Sequence, residues 1–274
     1  MKYTDGIAVL ATYLVLLSGC ATTGNNNLNG TLWIQSSSEY KANSLQLYNV
    51  AKNNIDSALN DSAWTAVLEQ AACSSSLPTK VAVVMDIDGT VLDNSKYQAK
   101  LVIDGAEWSA DTWDEWISHK SASAVPGAVS FICFLKEKNI EVIFITNREC
   151  KPRKGGDSIC PQERDTIDNL SKVGIIGVRP ENILLQNELP GWSAEKKSRR
   201  ESIVAEYRIL MLFGDDLGDF LPNVKKNITP AQRDELVYKN ENNWGRKWYM
   251  LSNPIYGSWL NVLEKPKSKY LVGY

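Results

Sequence analysis

Histidine is almost missing from this chain: His119 is the one example in 274 residues. No Cys-x-x-Cys pair accompanies it, so the nitrogen and sulfur ligands of a zinc site are lacking. A nucleophile activated by imidazole would have to use His119, which sits beside Lys120 in a helix-like stretch and reads as a surface residue. Charge of one sign is lacking too. The chain carries 30 Lys and Arg against 32 Asp and Glu, a formal net charge of -2, which gives no general attraction for a nucleic-acid polymer. Beyond the N-terminus no run is long and apolar enough to span a bilayer, and no internal repeat is visible. What remains is ordinary in bulk: 43% hydrophobic and 23% charged residues, enough for a sizeable core in one large domain or two small ones.

The N-terminus reads as a processing segment rather than fold. Lys2 is followed by an apolar run from Ile7 to Leu17, too short to span as a mature helix, which ends in Leu17-Ser18-Gly19-Cys20. Small residues before a Cys, directly after an apolar run, resemble a bacterial lipobox. The resemblance implies a signal peptide over residues 1–19, cleavage before Cys20 and lipidation of its thiol. Residues 20–32, rich in Asn and Gly, then read as a flexible tether. The expected location is the bacterial cell envelope, lipid-anchored at the outer membrane, because Ala21 is not the Asp that suggests inner-membrane retention. Export implies an oxidising compartment. Of the remaining Cys, Cys150 and Cys160 flank a Lys/Pro/Gly loop that brings them together, and a disulfide is expected there. Cys73 and Cys133 read as buried thiols or a second disulfide.

Along the chain, residues 36–72 read as helix, with caps offered by Ser36–Ser38 and Leu45, Tyr48, Ala51, Ile55 and Leu59 at helical spacing. Four short apolar runs follow. Val81–Met85 ends at Asp86, Val142–Ile145 ends at Thr146-Asn147-Arg148, Ile183–Leu185 is weaker, and Ile209–Phe213 ends at Gly214-Asp215-Asp216. Helical patterns near 127–138, 161–173 and 194–207 lie between them. Strands alternating with helices predict a parallel α/β sheet buried on both faces. In such sheets, ligands bind beyond the carboxyl ends of the strands. Asp86, Asp88, Thr146, Asn147, Asp215, Asp216 and Asp219 should therefore meet at one edge.

Several carboxylates held together need a cation between them. Oxygen ligands without nitrogen or sulfur point to Mg²⁺, which also ligates substrate phosphate. An Asp carboxylate can then attack phosphorus, giving an acyl-phosphate, while a second carboxyl protonates the leaving oxygen and later activates water. A hydroxyl and a Lys would neutralise the phosphoryl oxygens. Thr146 and one of Lys196 and Lys197 are the candidates.

Here the sequence resembles a known superfamily. Asp86-Ile87-Asp88-Gly89-Thr90-Val91 is similar to the first motif of haloacid-dehalogenase-like phosphatases, Thr146-Asn147-Arg148 to the second, Lys197 to the third, and Gly214-Asp215-Asp216-Leu217-Gly218-Asp219-Phe220 to the fourth. The lipobox, Gln35-Ser36-Ser37-Ser38-Glu39-Tyr40, Leu92-Asp93-Asn94-Ser95, Ala124–Ala128, Lys197–Arg200 and Asn253–Trp259 further resemble class C acid phosphatases, the lipoprotein e family. The resemblance covers roughly residues 33–265. It implies that Asp86 is nucleophile and metal ligand, and that Asp88 is the general acid/base with its backbone oxygen on the metal. It gives Thr146 and Lys197 the phosphoryl oxygens, and Asp215 and Asp219 the Mg²⁺. Asn147 would line the pocket, and a flat base would stack between Trp113 and Tyr256. Lys197 is preferred to Lys196 on its Lys-x-x-Arg spacing to Arg200. Trp113 and Trp116 share a helix face, so core packing competes with stacking for either. Gly89 stands where the family more often has an acid, and Asp216 where it has Asn, adding a negative charge beside the metal.

The expected fold is a three-layer α/β sandwich with a central parallel sheet and a small helical subdomain. The subdomain would combine residues 33–78, an insertion at about 95–125 and part of the C-terminus; the core would occupy 79–274. The expected function is Mg²⁺-dependent acid phosphatase action on phosphate monoesters, including nucleoside 5′-monophosphates, with a homodimer left open. A phosphotransferase or phosphonatase of the same fold is the second reading, and a non-catalytic ligand-binding surface lipoprotein the third.

Overall fold

A computed structural model describes residues 27–71 and 77–274. The expected signal peptide, Cys20 and Cys73 lie outside the described residues. Among the described residues there are seven strands: β1 Val81–Met85, β2 Leu92–Asp93, β3 Ser123–Ala124, β4 Glu141–Glu149, β5 Ile183–Gln186, β6 Arg208–Gly214 and β7 Trp248–Met250. The helices are α1 Leu28–Ser36, α2 Ser38–Asn60, α3 Leu68–Ala71, α4 Ser95–Asp104, α5 Ala110–His119, α6 Ala128–Glu137, α7 Pro161–Lys172, α8 Lys197–Ile203, α9 Pro230–Lys239 and α10 Ser258–Asn261. None of the described helices is long and apolar enough to cross a membrane.

Five strands form a parallel sheet in the order β5-β4-β1-β6-β7. Their apolar runs suit a sheet covered on both faces. Along β1, Val83 and Met85 point into one core and Ala82 and Val84 into the other, the two-residue period of a strand. On the first face, Tyr48, Ala51 and Ile55 of α2 pack with Phe131 and Leu135 of α6. Each fully buried side chain of this size stabilises the fold by about 1.5–3 kcal/mol. On the second face, Val67, Phe220, Leu221, Val224 and Trp248 close the core. The result is the expected three-layer α/β architecture.

Several boundaries differ from expectation. The predicted helix over 36–72 is divided. The Ser37 hydroxyl accepts the Tyr40 amide at 3.0 Å and starts α2, which stops at Asn60. Beyond it, Arg208 at the start of β6 donates to the carbonyls of Ala58 (2.9 Å), Asp61 (2.7 Å) and Leu59 (3.3 Å), groups that a helix end leaves without partners. Because α2 contributes to the main core, it belongs to the sheet's own layers; the small helical part is made by α4 and α5, with α1 against α4. Residues 28–32, expected in the tether, belong to α1, whose Thr31 and Ile34 are buried. Strand β7 has no counterpart in the sequence reading. The strand expected to end before Thr146 continues to Glu149, with an irregular register against β5 between Ile145 and Glu149. Cys150 and Cys160 form the expected disulfide, with Cα atoms 4.7 Å apart. Cys133 is a free, exposed thiol rather than a buried one.

Candidate active site

Strand order brings the acids together. Asp86 follows β1, and Asp215 follows the neighbouring β6. A tight 3-10 turn at Leu217–Asp219 then folds Asp219 back, its Oδ2 accepting the Asp216 amide at 3.0 Å. The carboxylates of Asp86, Asp215 and Asp219 lie within 4.8 Å of one another. Buried Lys196 contacts Asp86 Oδ1 and lies 2.6 Å from Asp219 Oδ1. Asp215 has instead the Asn253 amide at 2.6 Å. One ammonium thus contacts two of the three carboxylates. Burial pushes the Asp86 carboxyl upward, Lys196 opposes it, and Asp219 and Asp88 add to it; the net result is about 7. Asp215 is also raised well above its ordinary value, by burial and then by Asp86 and Asp219. Burial works against the charge on Lys196, but Asp219 and Asp86 outweigh it and hold the ammonium above its ordinary value. A buried, oxygen-only cluster with surplus negative charge fits a hard divalent cation such as Mg²⁺.

The lysine at this centre is Lys196, not the expected Lys197. Lys197 is half exposed and pairs with Glu201 at 3.5 Å. Helix phase explains the difference. Lys196 is the residue just before α8, and Arg199 and Arg200 follow it at the three- and four-residue steps that share a face. All three are buried. Arg199 holds the second motif in place, donating to the Thr146 carbonyl, to Asn147 Oδ1 (2.7 Å) and to the Ser193 carbonyl (2.9 Å). Arg200 donates to the Asp219 carbonyl (3.0 Å) and to Glu69 Oε1 (2.9 Å). Asn147 is therefore tied to Arg199, with its residue surface exposed.

Asp88 stands apart from the three-acid cluster. Arg148, 1% exposed, grips its carboxylate through Nη2 (2.8 Å) and Nε (3.0 and 3.2 Å). Asn94 Nδ2 donates to Asp88 Oδ1 at 3.0 Å, and the Thr146 hydroxyl lies 3.4 Å from Oδ2. The Asp88 backbone carbonyl accepts the Tyr256 hydroxyl at 3.3 Å. Arg148 and Asn94 were not among the expected site residues, although both lie inside the motifs Thr146-Asn147-Arg148 and Leu92-Asp93-Asn94-Ser95. The irregular register of β4 places Thr146, Asn147 and Arg148 at a kink, where bulges commonly re-aim side chains beside a site.

A model of the HAD superfamily, subfamily IIIB (acid phosphatase), matches residues 18–259. The chain belongs to this family. The class C acid phosphatase from Bacillus anthracis is similar in structure, with TM-score 0.73 and 30% identity, covering 92% of this chain and 98% of that one. The same enzyme with tungstate bound gives TM-score 0.75 at 30% identity, covering 92% and 99%. The stem 28 kDa glycoprotein of Glycine max is 26% identical over 147 residues, 52% of this chain and 53% of that protein. The chain spans about half the length of the curated relatives it matches.

Within this family frame the two departures have structural accounts. Gly89 adopts φ +90°, and a Cβ there would lie 2.3 Å from Asp215 Oδ2 and 2.9 Å from the Tyr256 hydroxyl. In this backbone the position has no room for a side chain. Asp216 does not join the three-acid cluster. Its carboxylate accepts the Gly218 amide (2.7 Å), the Ser258 amide (2.5 Å) and the Ser258 hydroxyl (2.8 Å), and so pins the turn to α10. Of the expected aromatic pair, Tyr256 is anchored to the Asp88 loop, and Trp113 packs edge-on against Tyr97 at 5.1 Å.

Proposed function

We propose that this protein is an acid phosphatase that hydrolyses phosphate monoesters through an aspartyl-phosphate at Asp86. The reading is carried by the arrangement of Asp86, Asp215 and Asp219 around Lys196, with Asp88 held separately by Arg148. In the first step a carboxylate oxygen of Asp86 forms a bond to phosphorus while the ester P–O bond breaks. The departing oxygen takes the Asp88 proton. In the second step Asp88 takes a proton from water, whose oxygen attacks the same phosphorus, releasing phosphate and restoring the Asp86 carboxylate. Lys196 and Thr146 stabilise the charge on the phosphoryl oxygens. Asp86, Asp215 and Asp219 would hold Mg²⁺, which when bound supplies charge neutralisation and orients phosphate against Asp86. Tungstate, bound by the Bacillus anthracis relative, is a tetrahedral oxyanion like phosphate, which supports the substrate class.

Nucleoside 5′-monophosphates are the proposed substrates, with the base lying against Trp113 or Tyr256, and the protein is proposed to be anchored in the cell envelope through a lipid on Cys20. The decisive assay is p-nitrophenyl phosphate hydrolysis with and without EDTA. Activity should vanish with EDTA, return with Mg²⁺, and be lost in Asp86→Asn. Mg²⁺-dependent turnover persisting in Asp86→Asn would sink the nucleophile assignment. A comparison of nucleoside 5′-monophosphates with simple phosphomonoesters tests the substrate, and radiolabelled fatty-acid incorporation lost in Cys20→Ser tests the anchor.

A further inference from the structure

The loop closed by Cys150 and Cys160 adds no ligand to the three-acid cluster, and yet it is tightly held. The Cys150 amide donates to the Gln186 carbonyl at 2.8 Å, which fixes one end to the sheet. Cys160 immediately precedes α7, which fixes the other. From this loop Arg153 reaches two helices. Its Nε donates to Asp114 Oδ2 at 2.7 Å, and Nη2 donates to Asp114 Oδ1 at 2.9 Å and to the Asp114 carbonyl at 3.2 Å. Its Nη1 contacts Asp165 of α7. Gln162 Nε2 adds a further bond to Asp114 Oδ1 at 2.7 Å. A guanidinium fork on one carboxylate fixes direction as well as distance. Of the ten residues of α5 only Ile117 is fully buried, and Thr112 and Trp113 bear on Tyr97 of α4, so the contacts to α7 come in large part from this loop and Gln162. The Arg153 contacts therefore do much to set where α5 sits on α7.

Two residues beyond Asp114 on α5, Trp116 donates its indole N–H to Asn94 Oδ1 at 3.1 Å. Indole can only donate, so this bond fixes the Asn94 amide with its NH₂ toward Asp88. That NH₂ donates to Asp88 Oδ1 at 3.0 Å. A continuous path thus runs from the disulfide loop, through Arg153, Asp114, Trp116 and Asn94, to the carboxyl group assigned as the acid. We infer that Arg153 is a positioning residue for Asp88: presented by the disulfide-closed loop, it fixes α5 and through Trp116 and Asn94 sets the direction in which Asp88 delivers its proton. The inference rests on the reading of Asp88 as general acid given above. Arg148 grips the same carboxylate from the sheet side, and the Arg153 path is the second, independent support.

The test compares two leaving groups. Phenolate from p-nitrophenyl phosphate departs with little need of protonation, whereas the alkoxide from glycerol 2-phosphate needs the acid. General acid catalysis supplies about 10²–10⁴-fold where it is needed. In Arg153→Ala and in Asp114→Asn, kcat/KM for glycerol 2-phosphate should fall roughly tenfold or more, and that for p-nitrophenyl phosphate less than about threefold. Asp88→Asn, the reference, should separate the two esters further. Thermal melts report whether each variant folds, and where Arg153→Ala does not, Asp114→Asn decides. Equal losses on both esters, or no loss on either, overturn the positioning role while Asp88→Asn still separates them. An Asp88→Asn that fails to separate them removes the acid assignment and the positioning role with it.

Discussion

Replacing Gly89 by Ala tests the geometry of the site at its tightest point. The added Cβ would stand 2.3 Å from Asp215 Oδ2 and 2.8 Å from its Cγ, where ordinary contact begins at 3.4 Å. Either Asp215 moves by about 1 Å or the backbone at residue 89 turns out of φ +90°. The left-handed conformation costs a non-glycine residue about 1–2 kcal/mol, and the stiffer unfolded chain returns about 0.4–1 kcal/mol of it. The expected stability loss is about 1 kcal/mol, a fall in melting temperature of roughly 2–4 °C. The catalytic effect should be much larger. A displacement of about 1 Å in a positioning group costs on the order of 10²-fold in rate. Steady-state hydrolysis of p-nitrophenyl phosphate, titrated with Mg²⁺, should show kcat/KM down about 10²-fold and a higher Mg²⁺ concentration for half-activation. Full activity in Gly89→Ala with an unchanged Mg²⁺ requirement would refute the placement of Asp215 against residue 89.

Lys196→Met should lower kcat/KM by about 10²–10³-fold, as expected for loss of a cation beside the phosphoryl oxygens, whereas Lys197→Met should leave activity intact and shift stability by less than about 0.5 kcal/mol. The same kinetic assay on both variants decides which lysine serves the site. Arg208→Met strips the donor from three carbonyls at the end of α2 and should destabilise by about 1–3 kcal/mol, read as a lower denaturation midpoint at unchanged m. The Asp114–Arg153 pair should give a pH-dependent stability. Burial works against the charge on Asp114, but hydrogen bonds from Arg153 and Gln162 outweigh it and hold the carboxyl below its ordinary value. A depressed carboxyl stabilises the fold above the unfolded-state pKa and loses that contribution as pH falls through the folded one. Arg153→Ala should therefore melt below the parent protein near neutral pH, and the gap should close under acid; a gap independent of pH would count against the pair.

The parallel sheet was legible because its strands are unbroken apolar runs that stop at acids: Val81–Met85 before Asp86 and Ile209–Phe213 before Asp215. A strand covered on both faces has to look this way. Strand β7 was not legible, since Trp248-Tyr249-Met250 is too short to show a period. Helix α1 was hidden by the Asn- and Gly-rich stretch around it, although Trp33 and Ile34 supply its anchor. The Lys-x-x-Arg spacing from Lys197 to Arg200, a three-residue step, does not by itself fix the helix phase. Counting from Lys196, Arg199 and Arg200 at the third and fourth steps would have given the buried face. Arg148 and Asn94 lie in motifs that were noticed, but their contact with Asp88 depends on a strand kink and a separate loop, which no local pattern encodes. Asp86, Asp215 and Asp219 needed only strand order.

The packing of α1 has a mechanical consequence. This first described helix lies against the loop near the other end of the chain: a Cβ at Gly30 would stand 3.1 Å from the Pro254 carbonyl and 3.2 Å from Ile255. Ile34 and Tyr40 pack with Ile255, and Trp33 and Tyr256 flank them. A pull on the N-terminal end therefore does not reach the sheet alone. It enters through α1 and is passed to the loop whose Tyr256 hydroxyl rests on the Asp88 carbonyl at 3.3 Å. A protein held by that end under tension would carry the load along a path that includes its reaction centre.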